Sequence, residues 1–205
     1  MSELIEITAR GAKPRQIEHI AGVLVRGGLI AYPTDSGYAL GWRSGNRAAR
    51  DRVIRLRELS RQHHFTYCCR SLSDVGNLAR LGNAAHRLIR QLTPGPYTFV
   101  LPASSRVPRM ARANKQHTIG VRIPDHPFVQ ALLEVMDEPL LSSSLLLPDP
   151  QGEIVDSQDL YDEVYGQVDL FVDAGYCPLE PTTLLDLTGE RPVVLRRGAG
   201  MIDFL

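Results

Sequence analysis

Long hydrophobic runs are missing from this sequence. No apolar stretch approaches the roughly 20 residues a membrane span needs, and the opening "MSELIEITAR" lacks the basic head and apolar core of a secretory signal. The expectation is a soluble, cytoplasmic protein. Cysteine is scarce: there are three, two of them adjacent at Cys68 and Cys69, which excludes a disulfide framework. An excess of either charge is also lacking, since 23 Lys plus Arg balance 23 Asp plus Glu. Nothing global therefore draws the chain onto nucleic acid or membranes, although a local basic face stays open. Lysine is reduced to Lys13 and Lys115; arginine suits two-pronged phosphate contacts, and GC-rich coding gives the same bias. Finally, the chain has no G-x-x-x-x-G-K-[ST] loop, no G-x-G-x-x-G after its first strand and no G-x-S-x-G elbow, which argues against P-loop, dinucleotide and serine-hydrolase chemistry.

What remains is an ordinary globular composition, 43% hydrophobic and 22% charged over 205 residues, enough for one domain spanning residues 1–205. Pro14 opens an amphipathic helix with Ile17, Ile20, Ala21, Leu24 and Val25 on its apolar stripe, stopped by Gly27-Gly28. The strand "LIAY" follows. Asn46 caps a second helix carrying Ala49, Val53 and Leu56. "FTYCC" reads as a buried strand, and two short helices lead through Leu78 and Leu92 to the strand in "TPGPYTFVLPA". Beyond a basic, irregular stretch holding Arg106, Arg109, Arg112 and Lys115 come the strand "TIGVRIP", a helix opened by Pro127, and "PLLSSSLLLP". An acidic, partly helical excursion precedes the strands "VDLFVD", "TTLLDL" and "PVVLRR", the last two joined by a turn at Thr188-Gly189-Glu190. Interleaved helices and strands with a terminal hairpin predict an α/β fold with a mixed sheet.

Hydroxyls and arginines collect where strands end: Thr34 to Ser36, Thr118 to Arg122, Ser142 to Ser144, and Thr182-Thr183. Such positions are where open α/β sheets bind ligands, and neutral donors beside a guanidinium fork suit carboxylates and phosphates. A polyanionic ligand is the reading. "HHFTYCC" invites a zinc site, but adjacent cysteines on a strand point to opposite faces, so no metal site is expected and both thiols read as buried apolar groups. His126, between Asp125 and Pro127, reads as a helix-start residue whose loop position also leaves it a candidate ligand.

"YPTDSGYALG", "TPGPYTFVLPA", "TIGVRIPDHPFVQALL", "PLLSSS" and "PTTLLDLTGERPVVLRRGAG" together resemble, in order and over nearly the whole chain, the YrdC-like family of threonylcarbamoyl-AMP synthases. The resemblance implies a twisted, mixed parallel and antiparallel open sheet flanked by helices around a concave cavity. It implies a nucleotidyltransferase joining L-threonine, bicarbonate and ATP, with Mg²⁺ on the ATP, to give threonylcarbamoyl-AMP and pyrophosphate for the t6A modification at position 37 of tRNA. By the same resemblance Ser36, Arg122, Ser142 and Thr182 would bind threonine, and Arg57, Thr118, Ser144 and Arg196 would bind ATP. No catalytic side chain is implied, because the substrate supplies the nucleophile.

The chain departs from the family pattern in two places. Arg57 stands at the signature lysine, but Leu59 replaces the arginine, Ser60 the proline, His63 a later lysine and Cys68 a histidine; in the second signature Ser144 is kept and Leu146 replaces an asparagine. "RQHHFTYCCRSL" and "SSSLLLP" are more similar to the YciO branch, which implies weak or altered synthase activity. The alternative is a non-catalytic module binding double-stranded RNA, tRNA or ribosomes through the basic stretch around Arg106, with Arg87 and Arg90 nearby.

Overall fold

The computed structural model describes residues 1–8, 11–108, 117–147, 156–177 and 180–203. Among these, ten strands form one sheet in the order β1-β8-β2-β3-β7-β4-β6-β5-β9-β10. The strands are β1 (Glu3–Glu6), β2 (Ile30–Thr34), β3 (Gly37–Arg43), β4 (Thr66–Cys68), β5 (Tyr97–Pro102), β6 (Thr118–Arg122), β7 (Leu140–Ser144), β8 (Leu170–Asp173), β9 (Thr183–Asp186) and β10 (Val193–Arg196). Six helices flank them: α1 (Pro14–Val25), α2 (Arg47–Leu56), α3 (Leu72–Leu78), α4 (Asn83–Leu92), α5 (Pro127–Met136) and α6 (Ser157–Val164). The sheet is mixed, as expected: β1 and β2 run parallel to β8, β4 to β6 and β5 to β9, and the remaining neighbours are antiparallel.

Local chemistry accounts for most boundaries. Pro14 is the first residue of α1, where a missing N–H costs nothing, and Gln16 Oε1 accepts from the Lys13 N–H at 2.8 Å. Asn46 Oδ1 accepts from the Ala49 N–H at 3.0 Å, the expected cap of α2. Val25 differs from expectation, being 58% exposed. The chain turns back at Gly27-Gly28 onto the other flank of the helix, so close to Val23 that a Cβ on Gly28 would lie 2.5 Å from its Cγ1. That turn buries Val23 and leaves Val25 outside.

Two strands were not anticipated. β1 adds an edge parallel to β8. β3 pairs antiparallel with β2, with Thr34 opposite Gly37, so Asp35 and Ser36 form a hairpin tip; Gly37 takes φ +104° there, a conformation open to glycine.

The sheet's two faces are covered unequally. On one, α2, α3, α4 and α6 close a large core around Trp42, Tyr67, Phe99, Val121 and Leu185. On the other, α1 and α5 cover β8, β2, and the adjoining parts of β3, β7 and β4, with Ile20, Leu24, Phe128 and Leu132 packed on Ile30, Leu140 and Leu170. Side chains alternate between faces along each strand. The register therefore places Thr66, Thr98, Thr118, Gly120, Arg122, Ser142 and Ser144 on this second face, beyond the apolar cover. Where the helices stop, the surface turns polar and small.

Candidate functional site

The polar half-face is built from strand ends. Arg122 closes β6, buried, directly across from Cys68 of β4. Its Nη1 donates to Ser36 Oγ at 2.8 Å and its Nη2 to Asp35 Oδ1 at 2.5 Å. The other Asp35 oxygen accepts from the Asp125 N–H at 3.2 Å. Strand register alone would hold these groups apart. Arg122 is level with Cys68, Cys68 with Leu140, and Leu140 with Arg43, which lies six residues along β3 from the tip, about 20 Å at strand rise. Contact across that distance requires the sheet to coil, bringing the β2–β3 tip over the face toward β6. The polar half-face is thus a hollow.

Two further candidates, Ser142 and Thr182, lie on neighbouring strands. Tyr32 OH is hydrogen-bonded to Ser142 Oγ at 2.9 Å and reaches Cys68 Sγ at 3.6 Å. Its ring lies over Gly41, where a Cβ would come within 2.6 Å of it. Thr182 Oγ1 shares a 2.8 Å hydrogen bond with Thr98. Thr98 precedes Phe99, which pairs with Val121, so it stands level with Arg122. Ser36 and Arg122 are thus bonded directly, while Ser142 and Thr182 belong to two separate hydrogen-bonded pairs set beside Arg122 by strand register.

The four residues assigned to ATP are less unified. Thr118 and Ser144 share the face: Thr118 lies four residues from Arg122 along β6, roughly 13 Å, and Ser144 is exposed at the end of β7. Arg196 is turned to the other group, donating to Thr182 O at 2.9 and 3.2 Å and to Thr182 Oγ1 at 3.3 Å. Arg57 approaches β7 from the opposite side, where Nη1 meets Ser143 Oγ at 2.5 Å and Nε the Leu146 carbonyl at 3.1 Å. Burial lowers its pKa from the ordinary arginine value. His63 packs its ring against Phe65, with centroids 5.0 Å apart; burial first, then Arg57 and His64, lowers its pKa. Leu59 packs against the large core and Leu146 is 39% exposed.

Cys68 and Cys69 are both buried, on opposite faces, in different apolar clusters. Burial raises the pKa of both thiols. Among the described residues no group of three or more His, Cys, Asp or Glu could hold a metal ion. His126 precedes α5 without a side-chain capping bond, its Nδ1 buried and unpartnered among the described residues, and burial lowers its pKa. Of the basic stretch, Arg106 donates to Asn77 Oδ1 at 2.6 Å, while Arg109, Arg112 and Lys115 lie outside the described residues.

Sequence reasoning passed over Asp35, Tyr32 and Thr98. A lone aspartate in a turn ordinarily reads as a turn former, and the partners of all three come from distant strands.

Comparison with known proteins adds lineage to this geometry. The Sua5_yciO_yrdC family, described as "Telomere recombination", matches residues 22–198. The Escherichia coli protein YciO, whose own function is uncharacterized, is 42% identical over 98% of this chain and 97% of its own. Its crystal structure superposes with a TM-score of 0.93, covering 99% and 98% of the two chains. The Pyrococcus abyssi threonylcarbamoyl-AMP synthase is 28% identical over 89% of this chain, which spans only 54% of the synthase. A crystal structure of P. abyssi Sua5 complexed with L-threonine, 27% identical, superposes with a TM-score of 0.86 over 96% of this chain and 58% of that one. No helix among the described residues is long and apolar enough to cross a membrane.

Proposed function

The chain belongs to the Sua5/YciO/YrdC family, and from that premise we propose that it binds L-threonine and ATP in the hollow and joins them with bicarbonate into threonylcarbamoyl-AMP. The observation that carries this reading is the meeting of Ser36 and Arg122 at 2.8 Å although 86 residues separate them, with Ser142, bonded to Tyr32, and Thr182, bonded to Thr98, on neighbouring strands. Arg122 is a buried guanidinium bonded to Ser36 and Asp35, its Nε without a partner among the described residues, and a guanidinium is the usual receptor of a carboxylate. In this reading Arg122 takes the threonine carboxylate, while Ser36, Ser142 and Thr182 orient the rest of the amino acid. ATP lies along Thr118 and Ser144, and Arg57 and Arg196 reach its phosphates by leaving their present partners.

The reaction asks little else of the protein. The threonine nitrogen forms a carbamate with bicarbonate, releasing water; a carbamate oxygen then attacks the α-phosphorus, and the bond to the pyrophosphate oxygen breaks. Alignment of the reactants is the main contribution, worth up to about 7–11 kcal/mol when well realised. Magnesium would enter on the triphosphate, its usual mode of binding at such sites. The whole chain works as one domain in this proposal.

Turnover is expected to be slow. Leu59 and Leu146 offer phosphate no donor, and each missing charge-assisted contact costs about 1.5–3 kcal/mol. The test is direct: incubate the purified protein with ATP, bicarbonate and radiolabelled threonine, and separate the nucleotides. Threonylcarbamoyl-AMP above an enzyme-free blank supports the activity; none above the blank overturns it.

A further inference from the structure

We propose that Asp35 sets the substrate class of this hollow: by neutralising Arg122 it reserves the site for a zwitterionic α-amino acid and turns away acids that lack an amine. The inference rests on the reading that Arg122 receives a substrate carboxylate. Asp35 and Arg122 form an ion pair at 2.5 Å with side chains only 13% and 10% exposed. Asp35 is gripped from two sides, since its second oxygen accepts from the Asp125 N–H. It is therefore a fixed feature of the wall that an incoming ligand must meet.

Charge counting then decides what can enter. Ser36 accepts from Arg122, and Cys68, opposite Arg122 on β4, belongs with Tyr32 and Ser142 to a second hydrogen-bonded group beside the pair; none of these four is charged at neutral pH, since burial raises the pKa of the Tyr32 phenol and the Cys68 thiol. The neighbouring His126 is kept neutral by its own burial. Asp35 and Arg122 thus cancel each other, while Asp125, which with Asp35 acts on His126, adds negative charge on the same side, and the cation of Arg196 is held apart on Thr182.

A bare carboxylate arriving at Arg122 would sit beside the Asp35 carboxylate and leave one negative charge uncompensated where water is largely excluded, which is unfavourable. An amino acid adds no net charge. Its carboxylate takes the guanidinium, whose Nε is buried without a partner among the described residues, and its ammonium takes Asp35. Selectivity follows from a charge already in the wall.

The experiment is calorimetry with L-threonine and with 3-hydroxybutanoate, which is threonine without its amino group. Wild type, Asp35→Asn and Asp35→Glu are compared, with circular dichroism to confirm folding. The wild type should bind threonine about 100-fold more tightly than 3-hydroxybutanoate: about tenfold for the bond from the ammonium to Asp35, and about tenfold for the carboxylate repulsion that the zwitterion escapes. D35N should lose about tenfold for threonine and gain about tenfold for 3-hydroxybutanoate, whereas D35E keeps the wild-type order. The two ligands should then bind D35N about equally, and a merely structural aspartate cannot produce opposite shifts of that kind. Equal weakening of both ligands in D35N overturns the inference and leaves the threonine site standing. Equal affinity of the wild type for both ligands overturns it even should D35N fail to fold. If the wild type binds neither ligand, the threonine reading falls as well.

Discussion

Leu59 and Leu146 stand where the family resemblance expects an arginine and an asparagine, and their surroundings give the two replacements different consequences. Leu59 follows the end of α2, its N–H bonded to the Ile54 carbonyl at 2.9 Å, and its side chain packs against the large core. Leu146 is 39% exposed beyond β7, where its carbonyl receives Arg57 Nε. Leu59→Arg would press a cation onto apolar neighbours and cost about 1–3 kcal/mol without placing a guanidinium in the hollow. Leu146→Asn should stay within about 0.5 kcal/mol of wild type. Thermal denaturation of the two variants checks this: a drop for L59R alone is expected, and equal stability would show that Leu59 is not packed as described. The leucines were legible in the sequence as departures. Whether a guanidinium could be recovered at position 59 was not, because that depends on which way the chain turns after α2. Asp35 was hidden for a related reason: its partner Arg122 lies 87 residues away.

At the scale of elements, capping and periodicity were readable where one residue decides the matter, as at Pro14, Asn46 and the β9–β10 turn. β3 was obscured by its own chemistry. Tyr38, Leu40 and Trp42 alternate with Gly37, Ala39 and Gly41, and the small residues look like loop until Tyr32 is seen lying over Gly41. Large-small alternation over seven residues was the available signal. The C-terminal segment shows how an element fixes the site from outside it. Gly198 packs so tightly on the 181–182 backbone that a Cβ would fall 2.0 Å from the Pro181 carbonyl oxygen. Its N–H donates to Thr183 Oγ1 at 3.0 Å, and Arg196 holds Thr182 alongside. Gly198→Ala must shift backbone that cannot yield easily, at a cost of about 1–3 kcal/mol. At about 2–4 °C per kcal/mol for a chain this size, melting should fall by several degrees, and threonine affinity should fall with it as Thr182 moves. Gly76, exposed in α3 with open space around it, is the control: Gly76→Ala should stabilise by about 0.5–1 kcal/mol. A neutral G198A would mean that the segment is free to relax and does not brace Thr182.

Across the whole molecule, the hollow arises from two properties that no short stretch of sequence carries. One is unequal cover: α1 and α5 bury one half of a face and stop, so the remaining strands present threonines, serines and glycine where a leucine would otherwise be needed. The other is the coil of a ten-stranded sheet, which brings the β2–β3 tip to Arg122 although register alone holds them about 20 Å apart. The polar strand ends could be seen in the sequence one by one; their convergence is a consequence of sheet twist summed over five adjacent strands. That convergence predicts a pattern in hydrogen exchange. A ligand seated in the hollow touches the tip at 35–36, β6 and β7 together, so adding L-threonine with ATP should slow exchange in all three segments, which are far apart in the chain. The edge strands β1 and β10 lie at the two ends of the strand order and should exchange as before. Protection confined to one segment would mean that the ligand binds a single strand end, and slowing spread evenly over the chain would point to general stabilisation of the fold. Concerted slowing of the three, with both edges unchanged, is the outcome that a shared hollow requires.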